Sequence, residues 1–496
     1  MDAALVEKKM DIYLAYSGLQ QKDYQLEGVQ WCVNNETRDI TKSSHLGDSL
    51  GGIVADEMGL GKTIIMIGTF VTNILPRTLI VLPPALIEQW RHQIKRTTGY
   101  EPLVFYGRNK KNIDVNQLVA SRMVICSYAA ISVKVEKKKR GGIVGGGEGE
   151  ETNKQKKENS ILHQVNWSRV VFDEAHHLRN KGSAFNGACM LKAGIRWLVT
   201  GTPIQNREDD FYRLCMVLKL NKNLYTQIEL VRQVASSFIM KRTKKQVGIQ
   251  MTHVQSDKKR VSWENRQELE ICEEIHANTK FSGVSSNPNS RSIKDITFGP
   301  EFVKIIRARQ SCIMTQMLAH CLSPDETEYY DSALTCRSSK IDAVVDSILL
   351  NKDNGNGKLV FCNFNAEIDT IYSGLLDGGM TQVVKIDGRT PKSVRINAMT
   401  EKNEALILQI QTGCEGLNLQ ENYSEIYFVS PNWNPAVEDQ AVARCHRIGQ
   451  TKDVFVYRFQ MQEFNELGIV RPIMNIEEYI HNVQEKKRFI AEQILS

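Results

Sequence analysis

The 496-residue chain lacks any apolar run approaching the length of a bilayer span, so no membrane-crossing helix is expected. It also lacks a C-x-x-C pair. Its 11 cysteines are scattered, which indicates neither a zinc module nor a disulfide framework and fits a reducing compartment. The first ten residues carry acids and lysines where a secretory signal would be apolar. No repeat of fixed period is present, and neither sign of charge dominates, with 63 Lys and Arg against 57 Asp and Glu. A formal net charge of +6 permits a polyanionic partner without requiring one. What remains, 42% hydrophobic and 24% charged, is the composition of an ordinary globular protein. The length predicts two or more domains.

Residues 1–240 alternate apolar strand-like runs with helical stretches, the pattern of a parallel α/β sheet. The expected strands are Gly52–Ala55, Thr78–Leu82, Met123–Ser127, Arg169–Phe172 and Arg196–Thr200. Residues 134–160 interrupt this pattern with Lys, Gly and Glu, a composition that cannot bury a core, and read as a disordered insertion. Residues 241–335 lose the strand pattern and read as helical and polar. A second α/β pattern fills 336–496, with strands at Leu359–Cys362, Val383–Ile386, Ala405–Gln409 and Glu425–Val429. Its last stretch, Ile476 to Ile494, reads as an amphipathic helix that braces this domain.

Asp56-Glu57-Met58-Gly59-Leu60-Gly61-Lys62-Thr63 is the most informative segment. Gly59 and Gly61 let backbone N–H groups converge on phosphate, where a side chain would intrude. Lys62 can reach β- and γ-phosphates, Thr63 offers a hydroxyl to Mg²⁺, and the following helix directs its N-terminus at the anion. One departure stands out: Asp56 occupies a position where the generic pattern has Gly. Downstream, Asp173-Glu174-Ala175-His176 ends a buried strand, where ligand sites of parallel sheets gather. Asp173 can hold Mg²⁺, and Glu174 can deprotonate an attacking water. In the last domain Arg444 and Arg447 are three residues apart and, on a helix, project from one face. Two such guanidinium groups can neutralise a γ-phosphate in transfer.

In these motifs, from Asp23 through Gln450, the chain resembles the SWI/SNF-type (sucrose-nonfermenting) branch of superfamily-two helicase-like ATPases. The similarity continues through Leu79–Trp90, Thr200–Asn206, Phe238–Val247, Lys358–Phe364, Gln411–Leu419, Trp433-Asn434-Pro435 and Gln440–Gln450. The resemblance implies two tandem RecA-like parallel-sheet domains separated by a helical insertion. It implies that Gln25 reads adenine and that Gln440 lies near the nucleotide. Thr200 and Thr202 then relay nucleotide state to a nucleic-acid groove, and Arg444 and Arg447 act as arginine fingers. Two departures are visible: Ala443 where the family usually has Asp, and Ser430 in place of a frequent acidic residue.

The family reading implies a DNA-dependent ATPase that uses ATP and Mg²⁺ and translocates on double-stranded DNA, remodelling nucleosomes or other protein–DNA complexes. Grip on the DNA backbone would come from Ser127, Thr202, Lys241, Arg242, Asn363 and Thr412, with Lys244 and Lys245 nearby. The stretch from Ile426 to Pro435 leans toward DNA-repair relatives without a RING insertion, and the compact chain resembles homologues of large DNA viruses. Location in a nucleus, or in a viral factory or virion, follows from that. A strand-separating helicase and an ATP-binding scaffold without turnover stay open as alternatives.

Overall fold

The computed structural model describes residues 2–39, 50–133, 160–204, 208–225, 227, 230, 235–277, 300–321, 328–335, 338–391, 394–395, 398, 401–410, 418–464 and 474–495. The expected insertion at 134–160 falls outside them except for Ser160, as does Thr412. The chain divides into two compact units, one built on residues up to Ile249 and one on Gln250–Ile490.

The first unit holds a seven-stranded parallel sheet. Its strands are β1 (Leu50–Val54), β2 (Thr78–Leu82), β3 (Leu103–Phe105), β4 (Met123–Ser127), β5 (Asn166–Asp173), β6 (Lys192–Val199) and β7 (Ile239–Met240). Their order is β3-β4-β2-β5-β6-β1-β7. β2 and β4 are buried along their whole length, as expected of apolar runs covered on both faces. The helix Lys62–Thr72 packs Ile65, Ile67 and Phe70 into the same apolar cluster as Val29, Cys32 and Val33 of the helix Asp23–Glu36. The register decides where the loops meet. Val54 pairs with Val199 of β6, and Val199 pairs with Asp173 of β5. The C-terminal ends of β1, β6 and β5 therefore stand in one row, spanning two strand spacings of about 5 Å each.

The second unit carries a six-stranded parallel sheet of β8 (Val254–Val261), β9 (Gly357–Cys362), β10 (Val383–Ile386), β11 (Ala405–Gln409), β12 (Tyr423–Phe428) and β13 (Val454–Met461). The order is β10-β11-β9-β12-β13-β8. β8 corrects the expectation that 241–335 has no strand. It pairs along its full length with β13, and its residues are almost all exposed. A polar, lysine-bearing edge strand has no buried face to print an apolar alternation into the sequence. Beyond β8 the described part of that region is mostly helical, with helices Arg266–Ala277 and Pro300–Ile313, while residues 241–253 ahead of β8 are turn and irregular chain. The terminal helix Ile476–Leu495 buries Ile476, Tyr479, Ile480 and Val483 in this unit's core, as its amphipathic pattern predicts.

Each unit encloses an ion pair. In the first, Arg169 of β5 and Glu36 are both buried, and Glu36 also accepts from Trp197 Nε1 at 2.8 Å and Asn73 Nδ2 at 2.7 Å. The guanidinium lies 5.0 Å from the Phe70 ring. In the second, Lys340 pairs with Glu477, which also accepts from Met461 N at 2.8 Å. Removing one partner of such a pair strands a buried charge at a cost of about 3–5 kcal/mol. Arg169→Met should therefore lower the urea-unfolding free energy of the first unit by about that amount. A loss no larger than that of a surface substitution would contradict the role given to the pair.

Candidate active site

The phosphate loop follows β1 and is anchored before it turns. Asp56 is fully buried, and its carboxylate is bracketed by Arg242: Nη2 donates to Oδ2 at 2.6 Å, and Nε and the backbone N–H donate to Oδ1 at 3.1 and 3.0 Å. Arg242 Nη1 also donates to the Tyr24 carbonyl, and a side chain on Gly28 would meet Arg242 Nη2 at 2.9 Å. Beside it, Lys244 is buried and pairs with Glu57 at 3.2 Å, while its N–H donates to the same carboxylate at 2.8 Å. The segment after β7 thus runs along the loop, fixed by Ala55 N–Met240 O at 2.7 Å and Glu57 N–Arg242 O at 2.9 Å.

Gly59 and Gly61 have φ of 92° and 80°, in the left-handed region open to glycine. A side chain on Gly61 would strike Gln25 Nε2 at 2.5 Å. Gln25 donates to the Leu60 carbonyl at 3.2 Å, so the helix Asp23–Glu36 is tied directly to the loop. The helix Lys62–Thr72 then starts with no side-chain cap, leaving its first N–H groups facing out of the loop. Thr63 lies in that first turn, and Lys62 Nζ donates to the Asp56 carbonyl at 2.9 Å.

Two strands away, Asp173 closes β5. Its carboxylate accepts from Trp90 Nε1 at 2.7 Å and from the Glu174 N–H at 3.0 Å. Burial, then the adjacent Glu174 charge, pushes the Asp173 carboxyl up to about 7, against the Trp90 hydrogen bond and the Lys62 charge. Glu174 sits at φ 50°, ψ 51°, a left-handed conformation costing a non-glycine residue about 1–2 kcal/mol. Its carboxylate lies 3.3 Å from His176 Nδ1. The His176 ring stacks on His177 at 4.8 Å, His177 lies 5.3 Å from Tyr128, and Tyr128 Oη donates to the Asp173 carbonyl at 2.7 Å. Between the two loops, β6 delivers Thr200, whose N–H donates to the Val54 carbonyl at 3.0 Å. A side chain on Gly201 would meet Met58 at 3.0 Å and Lys62 Nζ at 3.5 Å, so this turn lies against the phosphate loop. Thr202 N donates to Thr200 Oγ1 at 3.2 Å.

Lys62, Thr63, Asp173 and Glu174 are thus brought to one edge of the sheet, with Gln25, Met58, Gly59, Leu60 and Gly61 around them. Sequence reading gave no role to Trp90, Gly201, His176 or Tyr128. The first three stand inside motifs it had already marked, but a hydrogen bond between distant motifs has no local signal.

The second unit holds its expected residues differently. The helix Pro435–Cys445 ends before Arg447, which therefore does not share a helical face with Arg444. Arg447 donates to Asn418 Oδ1, and burial, then the Arg444 charge, lowers its pKa. Gln440 Nε2 and Arg444 Nε are buried donors without a hydrogen-bond partner, four residues apart and so on one side of the helix. Asn363 Nδ2 donates to Ser430 Oγ at 2.8 Å, giving the unusual Ser430 a partner, and its N–H donates to Glu367 at 2.8 Å. Of the residues expected to grip DNA, Lys241 is exposed, Ser127 is buried at the end of β4, and Arg242 is committed to Asp56.

A parallel α/β unit with this loop, acidic turn and interposed threonine segment defines a nucleoside-triphosphate hydrolase. The family described as the SNF2-related domain matches residues 24–269, and the helicase conserved C-terminal domain matches 339–449. The chain belongs to the SWI/SNF-type ATPases of helicase superfamily two and is an ATP hydrolase. It is 26% identical over 491 residues to a "Probable global transactivator" of Orgyia pseudotsugata multicapsid polyhedrosis virus, covering 94% of this chain and 89% of that protein. It is 26% identical to the ISWI chromatin-remodeling complex ATPase ISW2 of Saccharomyces cerevisiae over 90% of this chain, and 21% identical to that yeast's DNA repair protein RAD5 over 97%. It spans 39% and 57% of those two proteins. A solved Sulfolobus solfataricus SWI2/SNF2 ATPase core in complex with dsDNA aligns over 95% of both chains at 20% identity and a TM-score of 0.38.

Trp90→Phe removes the side-chain donor that orients the Asp173 carboxylate while keeping an aromatic ring in place. We expect kcat to fall about tenfold, the size of one lost hydrogen bond to a charged group, with the circular dichroism spectrum unchanged. Steady-state ATPase assays at saturating ATP measure it, and wild-type turnover would remove Trp90 from the site.

Proposed function

We propose that this protein hydrolyses ATP in a DNA-stimulated cycle and uses it to move along duplex DNA, displacing or remodelling proteins bound there. The observation that carries the reading is the row Val54–Val199–Asp173. It sets Lys62, the Thr200–Thr202 turn and the Asp173-Glu174 pair on adjacent strand ends.

Lys62 and the uncapped helix N-terminus bind and orient the triphosphate. The donor set beside them, an Asp173 carboxylate and a Thr63 hydroxyl, is made of hard oxygens and suits Mg²⁺. Mg²⁺, when bound, neutralises charge on the phosphate oxygens. Glu174 takes the proton from the attacking water, and its strained backbone holds the carboxylate at the loop's edge. Arg444 and Arg447 act on the transferred phosphoryl group, a reading supported by the family motif and by the unpaired Arg444 Nε. Thr200 and Thr202 pass the nucleotide state onward, because their turn leans on Met58 and Lys62.

Exposed Lys241 and Lys245, with Thr202, Asn363 and Thr412, serve the DNA backbone, a grip without sequence choice. Arg242 and Lys244 instead hold the loop. The relatives named as a chromatin-remodelling ATPase and a DNA repair protein support nucleosomes or damaged-DNA complexes as cargo. They support a nuclear location, or a viral factory or virion if the chain is virus-encoded.

Phosphate release compared across double-stranded DNA, single-stranded DNA, RNA and nucleosomes tests the proposal. Duplex DNA should stimulate most, and stimulation by RNA or single strands alone would overturn it. Strand separation in a labelled-duplex assay would favour a helicase instead. Lys62→Ala and Glu174→Gln should abolish turnover. Arg447→Ala should lower kcat by about 10³-fold while leaving ATP affinity nearly intact, since a finger acts on the transition state. An unchanged kcat would refute its role.

A further inference from the structure

Three side chains with metal-ligand chemistry converge inside the second unit. The helix Arg266–Ala277 carries Cys272 and His276 one turn apart, and the helix Pro300–Ile313 carries Cys312. All three are buried, with 0%, 2% and 1% of their surface exposed. Their ligand atoms lie within 4.8 Å of one another. Cys272 Sγ is 3.7 Å from Cys312 Sγ, and Cys312 Sγ is 3.8 Å from His276 Nε2.

Those separations have a specific size. Around a tetrahedral zinc with Zn–S of about 2.3 Å and Zn–N of about 2.0–2.1 Å, two sulfurs stand about 3.8 Å apart and sulfur and nitrogen about 3.5 Å apart. The two sulfurs are far from the ~2.05 Å of a disulfide. His276 Nδ1 lies 2.7 Å from the Cys272 carbonyl oxygen. That contact places the ring proton on Nδ1 and leaves the lone pair on Nε2, the same outer contact that fixes the tautomer of zinc-bound histidines. Phe464 meets the His276 ring edge-on at 5.1 Å and adds an apolar wall. Asn475 Oδ1, also fully buried, is 3.5 Å from Cys312 Sγ. The imidazole meets both sulfurs, Nδ1 at 3.6 Å from Cys272 Sγ and Nε2 at 3.8 Å from Cys312 Sγ, a contact that two cysteines packed merely as small apolar groups would not require.

We infer that Cys272, His276 and Cys312 form a structural zinc site in the second unit, with Asn475 Oδ1 as the fourth donor. Binding releases one proton from each thiol to solvent. The resulting Zn²⁺, two thiolates, neutral imidazole and neutral amide carry no net charge, which suits a buried position. Soft sulfur donors select zinc over magnesium, so the site does not compete for the ion of the ATPase reaction. The metal would pin the two helices to each other and to Asn475, which immediately precedes the terminal helix. No C-x-x-C pair announces it; its trace in the sequence is Cys272-x-x-x-His276, with the third ligand 36 residues further on.

The full chain, purified without chelator, should contain about one zinc per molecule by mass spectrometry of the metal. Cys312→Ser and His276→Ala should lose it, and Cys126→Ser, at a buried cysteine outside the cluster, should keep it. Because the cluster variants can fail to fold, the unmodified protein supplies a second readout. After exchange with Co²⁺ it should show a thiolate-to-cobalt charge-transfer band and the intense visible bands of a tetrahedral ion. Folded protein that is isolated metal-free, takes up no added zinc and gives no cobalt charge-transfer band would overturn the inference.

Discussion

A carboxylate with no access to water stands immediately before the phosphate loop, and its charge must be answered from within the protein. Arg242 does so with its side chain and its backbone N–H, from a segment that follows Asp56 by 186 residues. This contact turns the loop from a flexible glycine turn into a fixed cradle. It sets the direction in which β1 ends, holds the segment after β7 alongside, and carries Gly28 and Tyr24 of the helix Asp23–Glu36 up to the same guanidinium. The Asp at a position where glycine is usual thus has a physical explanation: what it loses in backbone freedom it recovers as a charge-assisted anchor.

The same contact redistributes the basic run Lys241–Lys245. A charge cluster read as one patch divides into two sets in the fold. Arg242 and Lys244 point inward to Asp56 and Glu57, and Lys241 and Lys245 stay in solvent. Only the second set is available to a polyanion. Like-signed neighbours along a chain are not neighbours in function here, because Arg242 sits just past β7 while Lys244 and Lys245 enter the turn that follows, and the path of the chain decides which side chains face the loop.

Much of the fold was legible because buried parallel strands are written as unbroken apolar runs. Thr78–Leu82, Met123–Ser127, Val383–Ile386 and Ala405–Gln409 occur as expected. β3 and β7 are too short to register, and β8 is polar because it is an exposed edge. β13 carries the aromatic alternation of a strand and was legible in principle. Within the site, each motif was visible, whereas the bonds between motifs were not. Trp90 to Asp173 crosses 83 residues, and no periodicity reports it. The pairing of Arg444 and Arg447 on one helical face failed for a local reason: the helix stops at Cys445, and spacing alone cannot locate a helix end.

The placement of strain follows from these anchors. Glu174 is one of two non-glycine residues with positive φ among the described residues, and it is the proposed base. A left-handed residue persists only where its neighbours leave no alternative. Here the Asp173 carboxylate takes the Glu174 N–H, Trp90 fixes that carboxylate, and Tyr128 holds the Asp173 carbonyl. Tyr128 directly follows Ser127, the end of β4. Any shift of the β4 terminus is therefore felt at the carbonyl that precedes Glu174. That chain of contacts gives the first unit a physical route by which a change at the end of β4 could alter the base without touching the nucleotide.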